Sequence, residues 1–151
     1  MSLSLRRSYP EAADPKEVAT YPLNVPSGGG YFYDELLEYR VWVKVPGKDP
    51  ELHSFVTYAD ALRLSKIDPD AEPPLALVLQ REYVDEPSPG EYRHIRKERM
   101  AEWQVGWLKG SHNDGTNIES FLRKVGLGNA SPRYIKERAC LSHPIRAMLV
   151  P

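Results

Sequence analysis

Apolar and polar residues alternate over residues 39–45, which is the period of a β-strand with one face against a core. One face of this strand would carry Tyr39, Val41, Val43 and Val45, and the other would carry Arg40, Trp42 and Lys44. Residues 75–80 are apolar at nearly every position and predict a central strand that is covered on both faces. A further strand is expected over residues 91–95, after the turn at Pro87-Ser88-Pro89-Gly90.

Two stretches in the first two thirds of the chain have helical signals. Thr57 followed by Asp60 predicts an N-cap and a helix that ends at about Lys66. An amphipathic helix over about 100–108 is predicted by the i, i+3, i+7, i+8 spacing of Met100, Trp103, Trp107 and Leu108.

Two more helices are expected toward the C-terminus. Thr116 and Glu119 predict a capped helix with Phe121, Leu122 and Val125 facing inward. Ser131-Pro132 has the residues of an N-cap and a first helical position, and predicts a last helix over about 133–141. Together these segments predict an α+β fold in which a small, mostly antiparallel sheet packs against three to four helices.

The first 30 residues differ in composition from the rest. Pro10, Pro15, Pro22 and Pro26 precede a glycine triplet, which predicts an extended, partly mobile arm. Apolar side chains with which this arm could still lie across the domain are Val18, Tyr21, Leu23 and Val25. We therefore expect an arm over residues 1–30, one α+β domain over 31–141 and a tail over 142–151.

Composition narrows the class of protein. With 151 residues, 41% hydrophobic and 27% charged, the chain is typical of a globular domain. No apolar run reaches the roughly 20 residues of a membrane-spanning helix, so no membrane partner is expected. The single cysteine, Cys140, excludes an internal disulfide and predicts a cytoplasmic protein.

Charge is distributed unevenly along the chain. Residues 1–92 contain 9 lysines and arginines against 16 aspartates and glutamates, whereas residues 93–151 contain 11 against 5. The basic part could meet an anionic ligand, or the two parts could pack together and neutralise each other. Nucleic acid is not an expected partner, because the usual nucleic-acid-binding motifs are absent from the sequence.

A glycine motif near the C-terminus suggests a cofactor. The stretch Arg123-Lys124-Val125-Gly126-Leu127-Gly128-Asn129 resembles the Arg-x-x-Gly-x-Gly coenzyme A-binding loop of the GNAT acyltransferases. The resemblance implies that Gly126, Leu127, Gly128 and Asn129 hold the pyrophosphate through main-chain amides, with Arg123 at the first position of the motif. The alternative is a helix that ends at Gly126 as its C-cap glycine, with Leu127 as the apolar residue beyond it.

A second resemblance covers roughly residues 30–110. The stretches that carry it are Gly30-Tyr31-Phe32-Tyr33-Asp34-Glu35, Glu38-Tyr39-Arg40-Val41-Trp42, Ala71-Glu72-Pro73-Pro74-Leu75, Tyr83-Val84-Asp85-Glu86-Pro87 and Glu98-Arg99-Met100-Ala101-Glu102-Trp103-Gln104-Val105. In these stretches the chain is similar to a family of small bacterial proteins that commonly carry a GNAT acetyltransferase label. The resemblance implies a coenzyme A-dependent N-acyltransferase that uses acetyl-CoA and a small-molecule or protein amine. Glu35, Glu102 and Tyr33 are the candidate catalytic residues, because a carboxylate or a tyrosine could transfer the proton of the attacking amine.

Two other classes of function stay open. Arg40 on a first strand, Ser54 and Thr57 near a second, and then Glu102 resemble the Arg–Ser–Glu order of some ADP-ribosyltransferases, which implies NAD binding. A non-catalytic module would instead present Trp42, Trp103 or Trp107 to a protein partner.

Metal and thiol chemistry have weaker sequence signals. His53, His94, His112 and His143 are scattered without ligand spacing, so no metal site is expected. Cys140 and His143 are close enough in sequence for a nucleophile and its base, but no third orienting residue is evident.

Overall fold

The structure of this chain is a computed structural model, and it describes residues 9–126. Within that range the elements follow one another as β1 (Glu35–Val43), β2 (Glu51–Phe55), α1 (Tyr58–Ile67), β3 (Leu75–Gln80), β4 (Tyr83–Ser88), β5 (Glu91–Ile95), β6 (Arg99–Gln104) and α2 (Asn117–Gly126). Short 3-10 turns lie at Pro15–Glu17 and Val105–Leu108. The α+β class is thus confirmed.

The strands form two antiparallel sheets. The larger sheet has the order β2-β1-β3-β6, and the smaller one is the β4–β5 hairpin. In the larger sheet β1 and β3 are the inner strands, which confirms a central strand at 75–80. Hydrophobic alternation does not predict β2, although the Arg–Ser–Glu resemblance places Ser54 near a second strand.

One face of the larger sheet forms the main core. A shift of register between Leu36 and Glu38 in β1 brings Leu36 to the same face as Tyr39 and Val41. These side chains pack with Ala76, Val78, Ala101 and Trp103 of the neighbouring strands and with Ala61 of α1. The alternation of faces predicted for β1 is confirmed, but both faces are buried rather than one, and the strand ends at Val43 rather than Val45.

Helix α1 begins where its cap predicts. The Thr57 side chain accepts a hydrogen bond from the backbone N–H of Asp60 (3.2 Å), and the helix runs to Ile67. Because an N-cap hydroxyl satisfies an amide that has no partner inside the helix, this contact fixes the first turn.

The predicted amphipathic helix over 100–108 is wrong. Residues 99–104 form strand β6, and a 3-10 turn follows over Val105–Leu108. In β6, Ala101 and Trp103 face the main core, while Glu102 is buried on the opposite face. A strand that is buried on both faces has no simple alternation, so its spacing also matched a helix.

The number of helices is therefore smaller than expected. Residues 9–126 contain two α-helices, α1 and α2, rather than three to four. Helix α2 begins at Asn117, directly after Thr116 as predicted, but Asp114 Oδ1 rather than the Thr116 hydroxyl accepts from the backbone there, with the Asn117 N–H as one donor (2.8 Å). The last helix expected over 133–141 lies outside the described residues.

A second apolar cluster joins the hairpin to α2. It contains Tyr31, Phe32, Val84 and Ile118, with Tyr92, Phe121 and Leu122 packed against them. The rings of Tyr31 and Phe121 stack with their centroids 5.0 Å apart. Residues 30–33 thus lie between the two cores.

The segment before β1 contacts the larger sheet through its backbone. Gly28 N–H donates to the Glu102 carbonyl (2.6 Å) and Glu102 N–H donates to the Pro26 carbonyl (2.8 Å), so residues 26–28 lie along the outer edge of β6. Near the other edge, Ala12 N–H donates to the Val56 carbonyl (2.9 Å). None of the helices within residues 9–126 is long and apolar enough to cross a membrane.

Candidate functional site

Buried charges lie together on the face of the larger sheet opposite the main core. Arg40 and Glu38 are fully buried and Glu102 is 1% exposed. With Trp42 and Ser54 these residues form what we call the Arg40 cluster. Because burial of a charge is costly unless it is paired and hydrogen-bonded, the cluster must satisfy its own polar atoms.

Strand geometry explains how residues from three strands meet. Side chains alternate between faces, so Tyr39 in the core places Glu38 and Arg40 on the opposite face. Ser54 is the partner of Arg40 across the β1–β2 pair. Leu77 pairs with Glu38 on one side and with Glu102 on the other, which aligns the two carboxylates across the sheet.

Arg40 binds both glutamates. Its Nε donates to Glu38 Oε2 (2.8 Å), and its Nη1 donates to Glu102 Oε2 (3.2 Å). Ser54 Oγ donates to the same Glu38 oxygen (3.1 Å). The guanidinium is therefore held between two carboxylates, with the serine on one of them.

Glu102 is the member of the cluster with an open atom. Its Oε2 accepts from Arg40 and from the indole N–H of Trp42 (2.8 Å). Its Oε1 is buried and has no hydrogen-bond partner among residues 9–126. A buried acceptor without a partner is uncommon in folded proteins, and it distinguishes Glu102 Oε1 from the other three carboxylate oxygens of the cluster, all of which accept hydrogen bonds.

The segment before β1 covers this cluster with backbone groups. Arg40 Nη2 donates to the Pro22 carbonyl (2.6 Å) and Nη1 donates to the Leu23 carbonyl (3.3 Å). Ala19 N–H donates to Glu38 Oε1 (2.7 Å). The Leu23 side chain is 57% exposed, so polar backbone contacts rather than the Leu23 side chain hold this part of the cover.

The three residues proposed for acyl-transfer catalysis lie in different environments. Glu35 is paired with Arg81 at the partly exposed start of β1. Tyr33 packs in the main core against Trp103 and His112, and burial raises the pKa of its hydroxyl. Glu102 faces the other side of the sheet from Trp103, so Tyr33 and Glu102 are not brought together.

The residues proposed for coenzyme A binding are partly described. Arg123 lies on α2, is exposed and has Nη2 3.5 Å from Glu119 Oε1. Gly126 is the last residue of α2. Leu127, Gly128 and Asn129 lie outside the described residues, and the role of all five in cofactor binding stays a prediction.

Three of the four residues that carry the resemblance to ADP-ribosyltransferases lie together in the structure. Arg40, Ser54 and Glu102 belong to the same cluster through the contacts given above. Thr57 does not belong to it, because its hydroxyl caps α1.

Two of the three tryptophans proposed as a docking surface are buried. Trp42 is 3% exposed and Trp103 is fully buried, whereas Trp107 is half-buried against Trp103. In the part of the chain that the structure describes, no three histidine, cysteine, aspartate or glutamate residues are placed to hold a metal ion.

Sequence reasoning missed Glu38, Ala19 and the Pro22 carbonyl. Glu38 could have been found, because a residue two positions from Arg40 on a strand shares its face. The backbone contacts of Ala19 and Pro22 have no signal in the sequence, because any residue type can supply a carbonyl or an amide in an irregular segment.

Comparisons with protein-family models, with curated proteins and with solved structures found no match to this chain. The geometry of the Arg40 cluster therefore stands as the main guide to function.

Proposed function

We propose that this chain is an NAD-dependent ADP-ribosyltransferase whose site contains Arg40, Ser54 and Glu102. The observation that supports this proposal is the meeting of these three residues in one buried cluster. By contrast, the candidates for acyl transfer are dispersed, with Tyr33 in the main core, Glu102 on the opposite face of the sheet and Glu35 at the start of β1. The order Arg, Ser, Glu along the chain then corresponds to three strands of one sheet, β1, β2 and β6.

The chemistry suits a carboxylate with an open oxygen. In ADP-ribosyl transfer the bond between nicotinamide and ribose C1′ breaks, and nicotinamide leaves with the bonding electron pair. The acceptor forms a new bond to C1′ and loses a proton. Glu102 would stabilise the positive charge that develops on the ribose, as carboxylates do in glycosyl transfer, and Oε1 would take the proton.

Arg40 and Ser54 have supporting roles in this proposal. The Arg40 guanidinium would bind a diphosphate oxygen, because its Nη atoms now donate to carbonyl oxygens that a phosphate could replace. Ser54 would hold Glu38, which in turn orients the Arg40 side chain through Nε.

Access to the site requires that residues 19–23 move. Their backbone carbonyls accept hydrogen bonds from Arg40 Nη1 and Nη2, and a backbone N–H of the same segment donates to Glu38 Oε1. The proposal therefore includes displacement of this short segment from the Arg40 cluster when NAD binds. A cytoplasmic location, which the single cysteine favours, would supply the NAD.

The first experiment measures ligand binding by thermal unfolding of the full chain. NAD, acetyl-CoA and coenzyme A are each added in the presence of matched salt. A ligand at a hundred times its dissociation constant stabilises the folded state by about 2.7 kcal/mol, a shift of a few degrees for this size. We expect a shift with NAD. A shift with acetyl-CoA and coenzyme A alone would replace the proposal by the acyltransferase hypothesis.

The second experiment measures nicotinamide release with water as the acceptor. Glu102→Gln keeps the size of the side chain and should lower the rate by at least about a hundredfold. Glu98→Gln changes an exposed carboxylate on the same part of the chain and should leave the rate unchanged. If wild-type protein binds no NAD and releases no nicotinamide, the proposal is wrong and a non-catalytic module becomes the leading interpretation.

A further inference from the structure

A glycine loop lies between the two cores, at residues 27–30. Gly28, Gly29 and Gly30 all have positive φ, at 73°, 82° and 75°. Two residues later, Phe32 has φ 79°, a conformation that side chains other than glycine rarely adopt. Backbone strain of this kind is concentrated at binding and active sites more often than elsewhere.

Two consecutive amides of this loop have no acceptor. Gly28 N–H donates to the Glu102 carbonyl, and Tyr31 N–H donates to the Val84 carbonyl (2.9 Å). Between them, the N–H groups of Gly29 and Gly30 donate to no atom of the described residues. Unpaired backbone amides in succession are the usual donors to phosphate and other anions.

Arg99 lies against the same loop with an unused donor. Its Nε donates to Gln80 Oε1 (2.7 Å), and its guanidinium carbon lies 4.1 Å from the centre of the Tyr83 ring. Its Nη2 is buried and has no hydrogen-bond partner in the part of the chain that the structure describes. None of the ion pairs among residues 9–126 includes Arg99.

The loop and the arginine are in close contact. A Cβ atom on Gly29 would lie 3.3 Å from Arg99 Nη2, and one on Gly30 would lie 3.0 Å from it. The absence of side chains therefore lets the backbone approach the guanidinium. Burial lowers the pKa of Arg99, while the neighbouring Tyr83 and Asp85 act in the opposite direction. Among the described residues, no carboxylate binds this positive charge directly.

We propose that the glycine loop and Arg99 bind a phosphate group of a small-molecule ligand. Phosphate accepts hydrogen bonds from consecutive amides, and it would neutralise a guanidinium that Gln80 and Tyr83 already hold in place. Arg99 lies on the same face of β6 as Ala101 and Trp103, opposite Glu102. The phosphate site is thus separate from the Arg40 cluster and does not rest on the proposed NAD chemistry.

The test uses pyrophosphate as the probe and follows the backbone amides by ¹H–¹⁵N NMR of the full chain. We expect pyrophosphate to shift the signals of Gly29 and Gly30 in a saturable way, while sodium chloride at equal ionic strength does not. This measurement needs no substitution, so it does not depend on whether a variant folds.

A pair of variants then tests the arginine. Arg99→Gln should lose at least about tenfold in pyrophosphate affinity, because the charge that supports the anion is removed. Arg93→Gln is the matched control, because Arg93 is exposed on β5 and paired with Glu91. Equal pyrophosphate affinity of wild type, Arg99→Gln and Arg93→Gln would overturn the proposal. So would the absence of saturable shifts at Gly29 and Gly30 in wild type.

Discussion

Arg40 shows what a single buried side chain requires of its surroundings. Its guanidinium is fully buried, and its donors are used by Glu38, Glu102 and the carbonyls of Pro22 and Leu23. The Arg–Ser–Glu resemblance singles out Arg40 from the sequence, and the structure pairs it with two carboxylates. The backbone acceptors could not be predicted, because they come from a segment about 18 residues away in sequence that has no regular structure.

Gly30 provides a test of backbone conformation and close packing at one residue. Its φ is 75°, and a Cβ atom there would lie 2.7 Å from Gln80 Nε2 and 3.1 Å from Tyr83 Cδ2. Gly47 has a similar φ of 72°, with no atom within 4 Å of its Cβ position. Gly47→Ala should cost about 1–2 kcal/mol of unfolding free energy from conformation alone. Gly30→Ala should cost about 1–3 kcal/mol more, because the neighbours must also move.

Urea unfolding of both variants measures this difference. Equal losses for Gly30→Ala and Gly47→Ala would mean that the Gln80 and Arg99 side chains give way without cost, and that the close approach at Gly30 does not constrain the loop.

At the scale of elements, local sequence signals predicted the start of a helix that depends on one capping residue. They did not predict a strand whose formation depends on the burial of its side chains. The cap at Thr57 predicted the start of α1, because a side chain and a nearby amide are enough to form it. The spacing of Met100, Trp103, Trp107 and Leu108 predicts a helix where the structure has strand β6 with a buried Glu102. Its burial depends on Arg40, 62 residues away in sequence, and a local pattern has no information about such a partner.

The start of α2 provides a test that depends on pH. Hydrogen bonds from the Thr116 backbone, the Thr116 hydroxyl and the Asn117 backbone hold the pKa of Asp114 below its usual value. A carboxylate with a lowered folded-state pKa adds stability above its unfolded pKa and loses it as pH falls through the folded one. We therefore expect wild type to be more stable than Asp114→Asn at pH 7. That advantage should shrink below about pH 4.

Denaturant unfolding between pH 2 and pH 7 measures this advantage, with Asp49→Asn as the control. Asp49 is exposed in a loop and has no hydrogen bond through its side chain among the described residues. A pH-independent difference between wild type and Asp114→Asn would show that the charge of Asp114 does not stabilise the first turn.

At the scale of the whole molecule, the N-terminal segment completes the sheet. It lies along the edge of β6 at residues 26–28 and covers the Arg40 cluster at residues 19–23. Proline and glycine content predicted an extended arm but could not predict where it lies, because its contacts with β6 and the Arg40 cluster use its backbone atoms. Ala19 has φ 73°, which is strained for a residue other than glycine, and its backbone N–H donates to Glu38 Oε1.

Two substitutions of Ala19 should change the stability of this cover in opposite directions. Ala19→Gly removes the strain of a positive φ and should raise the unfolding free energy by about 1 kcal/mol. Ala19→Pro cannot adopt that φ and has no N–H for Glu38, so it should lower the unfolding free energy.

If residues 19–23 limit access to Glu102, the rate of nicotinamide release should rise in Ala19→Pro and fall in Ala19→Gly. Leu23→Ala keeps the carbonyl that Arg40 binds and should change neither quantity strongly, since that side chain is exposed. Opposite shifts in stability with identical rates would mean that the segment stabilises the cluster without controlling its access.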